Sequence, residues 1–175
     1  MTDGAVRETE RLLLRPPRAA DLDPYIEIHE DPEVRPHLMV LQPSVGRAAA
    51  WRTLALLAGH WHLRGYGQWT LVEKATGDVV GRVGLWNPEG GLGLEIGWVI
   101  RRSQWGRGLA TEAAREAVAF AFDEVRADRL ISVIPPDNVR SIRVACKIGE
   151  TFDRAHVVDG RTVHVYALPR PGPRA

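Results

Sequence analysis

The chain is expected to fold as one α+β (α/β mixed) domain around a mixed sheet, and three observations carry that expectation. Short runs of apolar and branched residues, bounded by Gly, Pro, Asn and Asp, recur along it as strands do. Between them lie longer stretches with helical periodicity and cap residues at their ends. The two kinds follow in the order β-α-α-β-β-β-α-β-α-β-β, which supports α+β or α/β with both sheet senses present. With 175 residues, 45% hydrophobic and 26% charged, the chain suits a single globular domain spanning 1–175.

Glu10–Arg15 (ERLLLR) reads as the first strand, ended by Pro16-Pro17, which cannot continue a ladder. Ala19–Glu30 reads as a helix, with Asp21 or Asp23 near its start and Pro24 in its first turn. Three prolines break Asp31–Pro43 into a loop holding at most a short turn. Ser44 is expected to cap a helix over about 45–64, with either Ala48, Trp51, Ala55 and Ala58 or Leu54 and Leu57 inward; Gly59 interrupts its pattern. Gln68–Glu73, Val79–Trp86 and Leu92–Ile100 follow as three antiparallel strands joined by the turns Ala75–Asp78 and Asn87–Gly91.

A helix is expected from about Arg107 to Asp123, its alanine face (Ala110, Ala113, Ala114, Ala117, Ala121, with Val118) opposite Glu112, Arg115, Glu116 and Asp123. Arg129–Ile134 is a short buried strand stopped by Pro135-Pro136, and Asp137 or Asn138 caps a helix over about 139–148 that Gly149 ends. Strands at about 151–158 and 161–168 flank Asp159-Gly160, a hairpin signal. The Pro-rich tail from about 170 is expected to fray.

Composition bounds the function. A net charge of +1 gives no polyelectrolyte attraction, so nucleic acid is not an expected partner. The opening MTDGAVRETERLLLRPP holds one three-leucine run, too short for a signal peptide or a membrane span. Cys146 is the only cysteine, which excludes an internal disulfide, fits a cytoplasmic location and is expected to serve as a small packing residue. The six histidines lack ligand-like spacing, His60 and His62 falling on different sides of a helix, so no metal site is expected. Six tryptophans are dispersed enough to serve both core and pocket walls.

The stretch 104–110 (QWGRGLA), between a strand and a helix, carries the strongest functional signal. Its glycines let the backbone pass close to a ligand, and the first helical turn presents unpaired N–H groups. With Arg101, Arg102 and Arg107 nearby, these form an anion site suited to phosphate; a plain turn is the alternative. The spacing fits neither GxxxxGK[ST] nor GxGxxG with a following acidic ribose partner. Glu95 is a carboxylate in an otherwise apolar strand, so it must face solvent, a partner or a cavity.

Trp105-Gly106-Arg107-Gly108-Leu109-Ala110 resembles the [QR]-x-x-G-x-[GA] motif of the GNAT superfamily of acyl-CoA-dependent N-acyltransferases. Trp105 departs from the usual Gln or Arg, but EIGWVI…WGRGLATEA is similar to the Rim-type branch that acetylates the N-termini of ribosomal proteins, where Trp is ordinary. The resemblance runs from about Thr9 to Leu168. It implies a mostly antiparallel mixed sheet of six or seven strands flanked by about four helices, with a parallel pair, 92–100 and 129–134, splayed around the pantetheine arm of acetyl-CoA. It also implies cofactor contacts at the N–H groups of Gly106, Arg107, Gly108, Leu109, Ala110 and Thr111, and at the backbone of Trp98, Val99 and Ile100. Arg101, Arg102 and Arg143 are candidates for the CoA phosphates, a solvated surface role being the alternative for each. Asp137–Val144 resembles the family's N-x-x-S helix start, so Asn138 is expected on pantetheine and Ser141 near the sulfur; helix capping is the alternative for both. Where the family continues Glu-Lys-Leu-Gly-Phe, this chain has Cys146-Lys147-Ile148-Gly149-Glu150. In this superfamily an acidic residue on the Glu95 strand often serves as base, directly or through water; an ion pair or an anchor for the substrate amine is the alternative.

The resemblance thus implies an acetyl-CoA-dependent N-acetyltransferase working by direct transfer, without metal. The expected acceptor is a primary amine at a protein or peptide N-terminus, or else on an aminoglycoside or polyamine. The acidic run Asp21, Asp23, Glu27, Glu30, Asp31 and Glu33 would suit a polycation, or is a solvated helix face. A homodimer is left open, and a non-catalytic acyl-CoA-binding module is the rival reading.

Overall fold

A computed structural model describes residues 6–38 and 46–172. Its elements are β1 (Arg7–Glu8), β2 (Leu12–Arg15), α1 (Leu22–Glu30), α2 (Arg47–Arg64), β3 (Gln68–Glu73), β4 (Val79–Trp86), β5 (Glu95–Ile100), α3 (Leu109–Asp123), β6 (Arg129–Ile134), α4 (Val139–Ile148), β7 (Thr151–Val158) and β8 (Arg161–Pro169). The strands form one sheet in the order β1-β2-β3-β4-β5-β6-β8-β7. Every pairing is antiparallel except β5 with β6. This is the expected mixed sheet, with the two-residue β1 added at its edge. The helices cover both faces.

Boundaries moved where glycine intervened. The stretch 92–94 bends before β5 starts, and Gly93 sits at φ +148°. Helix α3 starts at Leu109 rather than Arg107 because Gly106 and Gly108, at φ +78° and +80°, hold the chain outside helical geometry until then. Helix α2 runs unbroken through Gly59. The expected Ser44 cap lies outside the described residues.

One face is built on α3. Its small residues Ala113, Ala114, Ala117 and Ala121 are fully buried and let the helix settle close to Val83, Leu85 and Ile96, while Phe120 meets Trp69 edge-on at 5.0 Å. The other face carries α1 and α2, where Tyr25, Ala50, Leu54 and Leu57 enclose Trp86. The Leu54–Leu57 stripe is therefore the inward one. Trp51 is 58% exposed, because it falls about 100° around the helix from Ala50. Cys146 is likewise exposed rather than packed: Ala145 takes the inward position on α4 and its neighbour turns outward.

The contact between α1 and the sheet is polar. Asp21, 1% exposed, accepts from Arg15 Nη1 and Nη2 at 2.8 and 2.6 Å, from the Arg18 N–H at 2.8 Å and from Thr70 Oγ1 at 3.0 Å. With its proton committed to Asp21, the Thr70 hydroxyl accepts from Tyr25 OH at 3.1 Å. Burial alone would raise the Asp21 carboxyl, but the bonds from Arg15 and Arg18 outweigh it and hold it below the usual range. Asp21 thus leaves the expected solvated acidic face and becomes a structural counter-ion.

A carboxyl depressed in the folded state adds stability above its unfolded pKa and loses it as pH falls through the folded one. Asp21→Asn should therefore cost about 3 kcal/mol at pH 7, by stranding the Arg15 charge. Urea titrations should show the gap to wild type narrowing below about pH 4. A gap independent of pH would exclude the ionic account.

Candidate active site

The site begins where β5 and β6 part. The two parallel strands share one register pair, Glu95↔Ile131, where the Ile131 N–H donates to Leu94 O at 3.0 Å. Backbone groups alternate along a strand. The Ile96 carbonyl accepts from Ser132 Oγ on β6 at 2.8 Å, whereas the Arg101 N–H donates to Val80 on β4. The N–H and C=O of Trp98 and Ile100 therefore face the gap, and those of Val99 belong to the β4 ladder, opposite Arg82. Val99 still lines the cleft, but its N–H and C=O are turned to β4, unlike the backbone contact expected across Trp98 to Ile100.

Beyond the gap lies a cleft of ≈ 310 Å³ between β5, α3 and α4. Gly106, Gly108, Leu109, Ala110 and Thr111 line one end. No side chain caps α3, so its first-turn N–H groups are free to meet an anion, and a Cβ built on Gly106 would meet open space. The turn is held from behind. Glu112 accepts from Arg11 Nε at 2.7 Å, the Arg11 N–H at 2.9 Å and Thr9 Oγ1 at 2.5 Å, while Arg11 Nη1 donates to the Arg107 carbonyl at 2.9 Å. Trp105 is fixed by its own ring, which donates to Ile100 O at 2.8 Å and lies 4.3 Å from the Arg140 guanidinium.

The cations around the cleft are not all those expected. Arg107 turns its side chain away, to Glu73 at 2.6 Å and to Gln104, and is not among the residues that line the cleft; Arg101 pairs with Glu27 at 2.9 Å. Arg143 does line the cleft, joined by Arg140 and Lys147, which the sequence reading missed. Their i, i+3, i+7 spacing on α4 was a visible signal of a shared face.

At the mouth of the gap the capping reading of the N-x-x-S start holds for Asn138. Asn138 Oδ1 caps α4 by accepting from the Ser141 N–H at 3.1 Å, which leaves its NH₂ outside the cap, and the residue lines the cleft. Ser141 Oγ accepts from Trp98 Nε1 at 3.3 Å, which leaves its own proton free to donate.

A second cavity of ≈ 70 Å³ opens through the gap to the α1–α2 face. Trp98, Val99, Asn138 and Ser141 line both cavities; Glu95, Gln68, Arg82 and Trp86 line only the inner one. Burial pushes the Glu95 carboxyl up to about 7, with no hydrogen-bond partner among the described residues. It is poised to take a proton near neutrality. Among the described residues no group of His, Cys, Asp or Glu is arranged to hold a metal ion, and no helix is long and apolar enough to cross a membrane.

This geometry has relatives. The family model described as Acetyltransferase (GNAT) domain matches residues 11–151. The chain is 34% identical over 114 residues to the uncharacterized protein YkkB of Bacillus subtilis, covering 61% of this chain and 66% of that one. It is 30% identical over 139 residues to the uncharacterized N-acetyltransferase p20 of Bacillus licheniformis, covering 78% and 76%. Among solved structures, an acetyltransferase from Agrobacterium tumefaciens superposes with a TM-score of 0.82 over 93% of each chain, at 29% identity. Since the matched residues include the glycine turn, the parted strands and the Asn138 cap, the chain belongs to the GNAT acetyltransferase family.

Proposed function

We propose that the protein transfers an acetyl group from acetyl-CoA directly to a primary amine, with Glu95 as base and Ser141 as proton donor to the leaving sulfur. One observation carries this reading: the cleft and the inner cavity meet at the strand gap, with Ser141 lining both and Glu95 lining the inner one. The cleft fits the cofactor in chemistry, offering free helix N–H groups and three cations at one side and unpaired strand edges at the other. When bound, acetyl-CoA supplies the activated acetyl group.

The N–H groups of Gly106 to Thr111 take the pyrophosphate, and Asn138 holds the pantetheine arm. The Trp98 or Ile100 N–H polarises the thioester carbonyl. Glu95 takes the amine proton, directly or through water, as the new C–N bond forms. The C–S bond breaks, Ser141 protonates the thiolate and regains its proton from water, and Glu95 gives the amine proton up to solvent. The acceptor the motif branch implies is a protein or peptide N-terminus, with a small-molecule amine as the second class. A polycation is disfavoured, since Asp21, Asp23 and Glu27 are already paired with Arg15, Arg47 and Arg101.

Transfer needs ionised Glu95, so kcat/KM should rise with pH through about 7. Glu95→Gln should lower kcat on the order of 10²-fold with little change in the KM for acetyl-CoA, and remove that inflection. An unchanged pH profile in the variant would take Glu95 out of the mechanism.

Ser141→Ala leaves the helix cap intact, because the cap uses the backbone N–H. Its kcat should drop roughly 10–10³-fold with melting temperature and CoA affinity nearly unchanged. Equal turnover would reduce Ser141 to a partner for Trp98.

Gly108→Asp places a charge at the phosphate end in a left-handed conformation. Calorimetry should show CoA affinity falling by more than about tenfold, or ~1.4 kcal/mol. Unchanged binding by a folded variant would make the turn purely structural.

A further inference from the structure

The inner cavity is lined by a buried cation that has no counter-ion among the described residues. Arg82, on β4, is 5% exposed and lines the cavity. Its Nη1 donates to Gln68 Oε1, its Nε is buried with no hydrogen-bond partner, and no ion pair reaches it among the described residues. Residues 39–45 contain no acidic side chain either. The nearby carboxylates are otherwise engaged: Asp21 belongs to Arg15, and Glu95 shows the effect of burial alone. The charge of Arg82 acts on its surroundings. Together with burial it holds the His29 ring down to about 4, and His29 Nε2 is itself buried without a partner.

An isolated buried guanidinium is costly, and proteins keep one where an anion is to be met. Gln68, 2% exposed, adds to the same end. Since Arg82 can only donate, Gln68 must accept with its oxygen, which leaves its NH₂ as a donor; that nitrogen lies 3.1 Å from where a Cβ on Gly97 would be. A Cβ at 97 would press on that nitrogen and push it aside by a few tenths of an ångström.

We propose that the acceptor is an amine carrying a carboxylate close to its nitrogen, and that Arg82 and Gln68 receive that carboxylate while the amine faces Glu95. The inference rests on the acetyl-transfer reading above and narrows its acceptor. The spacing suits it. Gln68 stands opposite Gly84, and Gly84 opposite Gly97, so the donors sit at the level of Gly97. Glu95 is two residues further along the same face of β5, roughly 7 Å away. That span accommodates an amino-carboxylate with a hydrogen bond at each end. Two sources carry this chemistry: a free amino acid, and a peptide whose first residue is Asp or Glu.

Thiol release from acetyl-CoA, followed across matched acceptors, tests the proposal. One set is an amino acid, its carboxamide and its decarboxylated amine; the other is peptides beginning with Asp or Glu against the same peptides beginning with Asn or Gln. Wild type should use the carboxylate members with kcat/KM at least about tenfold above their neutral partners, since a site built for a polar group rejects analogues lacking it. The set that shows the ratio identifies the source. In Arg82→Met the ratio should fall to about one with CoA affinity retained, and Arg82→Lys should keep part of it. Equal use of both members by wild type, or a ratio that survives in Arg82→Met, overturns the proposal while leaving acetyl transfer standing. Absence of thiol release with every amine, from protein that binds CoA, overturns both. The wild-type ratio decides the matter even if the methionine variant fails to fold.

Discussion

The structure depends on two strands that begin together and do not stay together. A parallel ladder carried past Glu95↔Ile131 would close the sheet and leave no passage between its faces. What prevents closure is local and polar. Ser132 Oγ takes the Ile96 carbonyl and the Trp105 ring takes the Ile100 carbonyl, so side chains occupy acceptors that a continuing ladder would use. The Trp98 groups between them face the gap. On the far side β6 is fully paired with β8, so the sheet tolerates the opening without losing its edge.

The charged groups of the interior divide into two kinds. Asp21 and Arg15 are paired and hydrogen-bonded, which makes them part of the frame. Arg82, Glu95 and Glu150 lack such satisfaction. Glu150, 2% exposed and with neither oxygen in a well-formed hydrogen bond among the described residues, stands where the family motif carries Phe, and burial lifts its carboxyl to about 7 against a smaller opposing effect of the nearby Ser132 hydroxyl. A protonated glutamic acid fills an apolar position far more cheaply than a glutamate.

Much of this was legible in the sequence, for identifiable reasons. Period and punctuation located β3, β4, β6, α4 and β7 at their observed ends, and Asp159-Gly160 and Gly149 marked the turns beside them. The glycine turn and the N-x-x-S start were local signals, and both lie in the cleft. Direction was harder to read. Nothing near Arg107 or Arg101 in sequence announces Glu73 or Glu27, which the fold brings from afar. The inward side of α2 depended on what α1 and Trp86 present to it. Arg82 looked like any charge in a strand, because isolation is a property of the assembled interior and not of the residue.

The clamp on the glycine turn has a consequence for how the molecule assembles. Arg11 and Thr9, near the start of the described chain, hold Glu112 and the carbonyl of Arg107. The turn proposed to take phosphate is therefore shaped by a contact spanning about a hundred residues, and such contacts close late because of their loop entropy. A partly folded chain would possess α3 before it possessed a competent phosphate turn. Cofactor binding would then report on the docking of the outermost strands, so that a lesion at the sheet's edge, remote from any ligand, reads out as lost affinity.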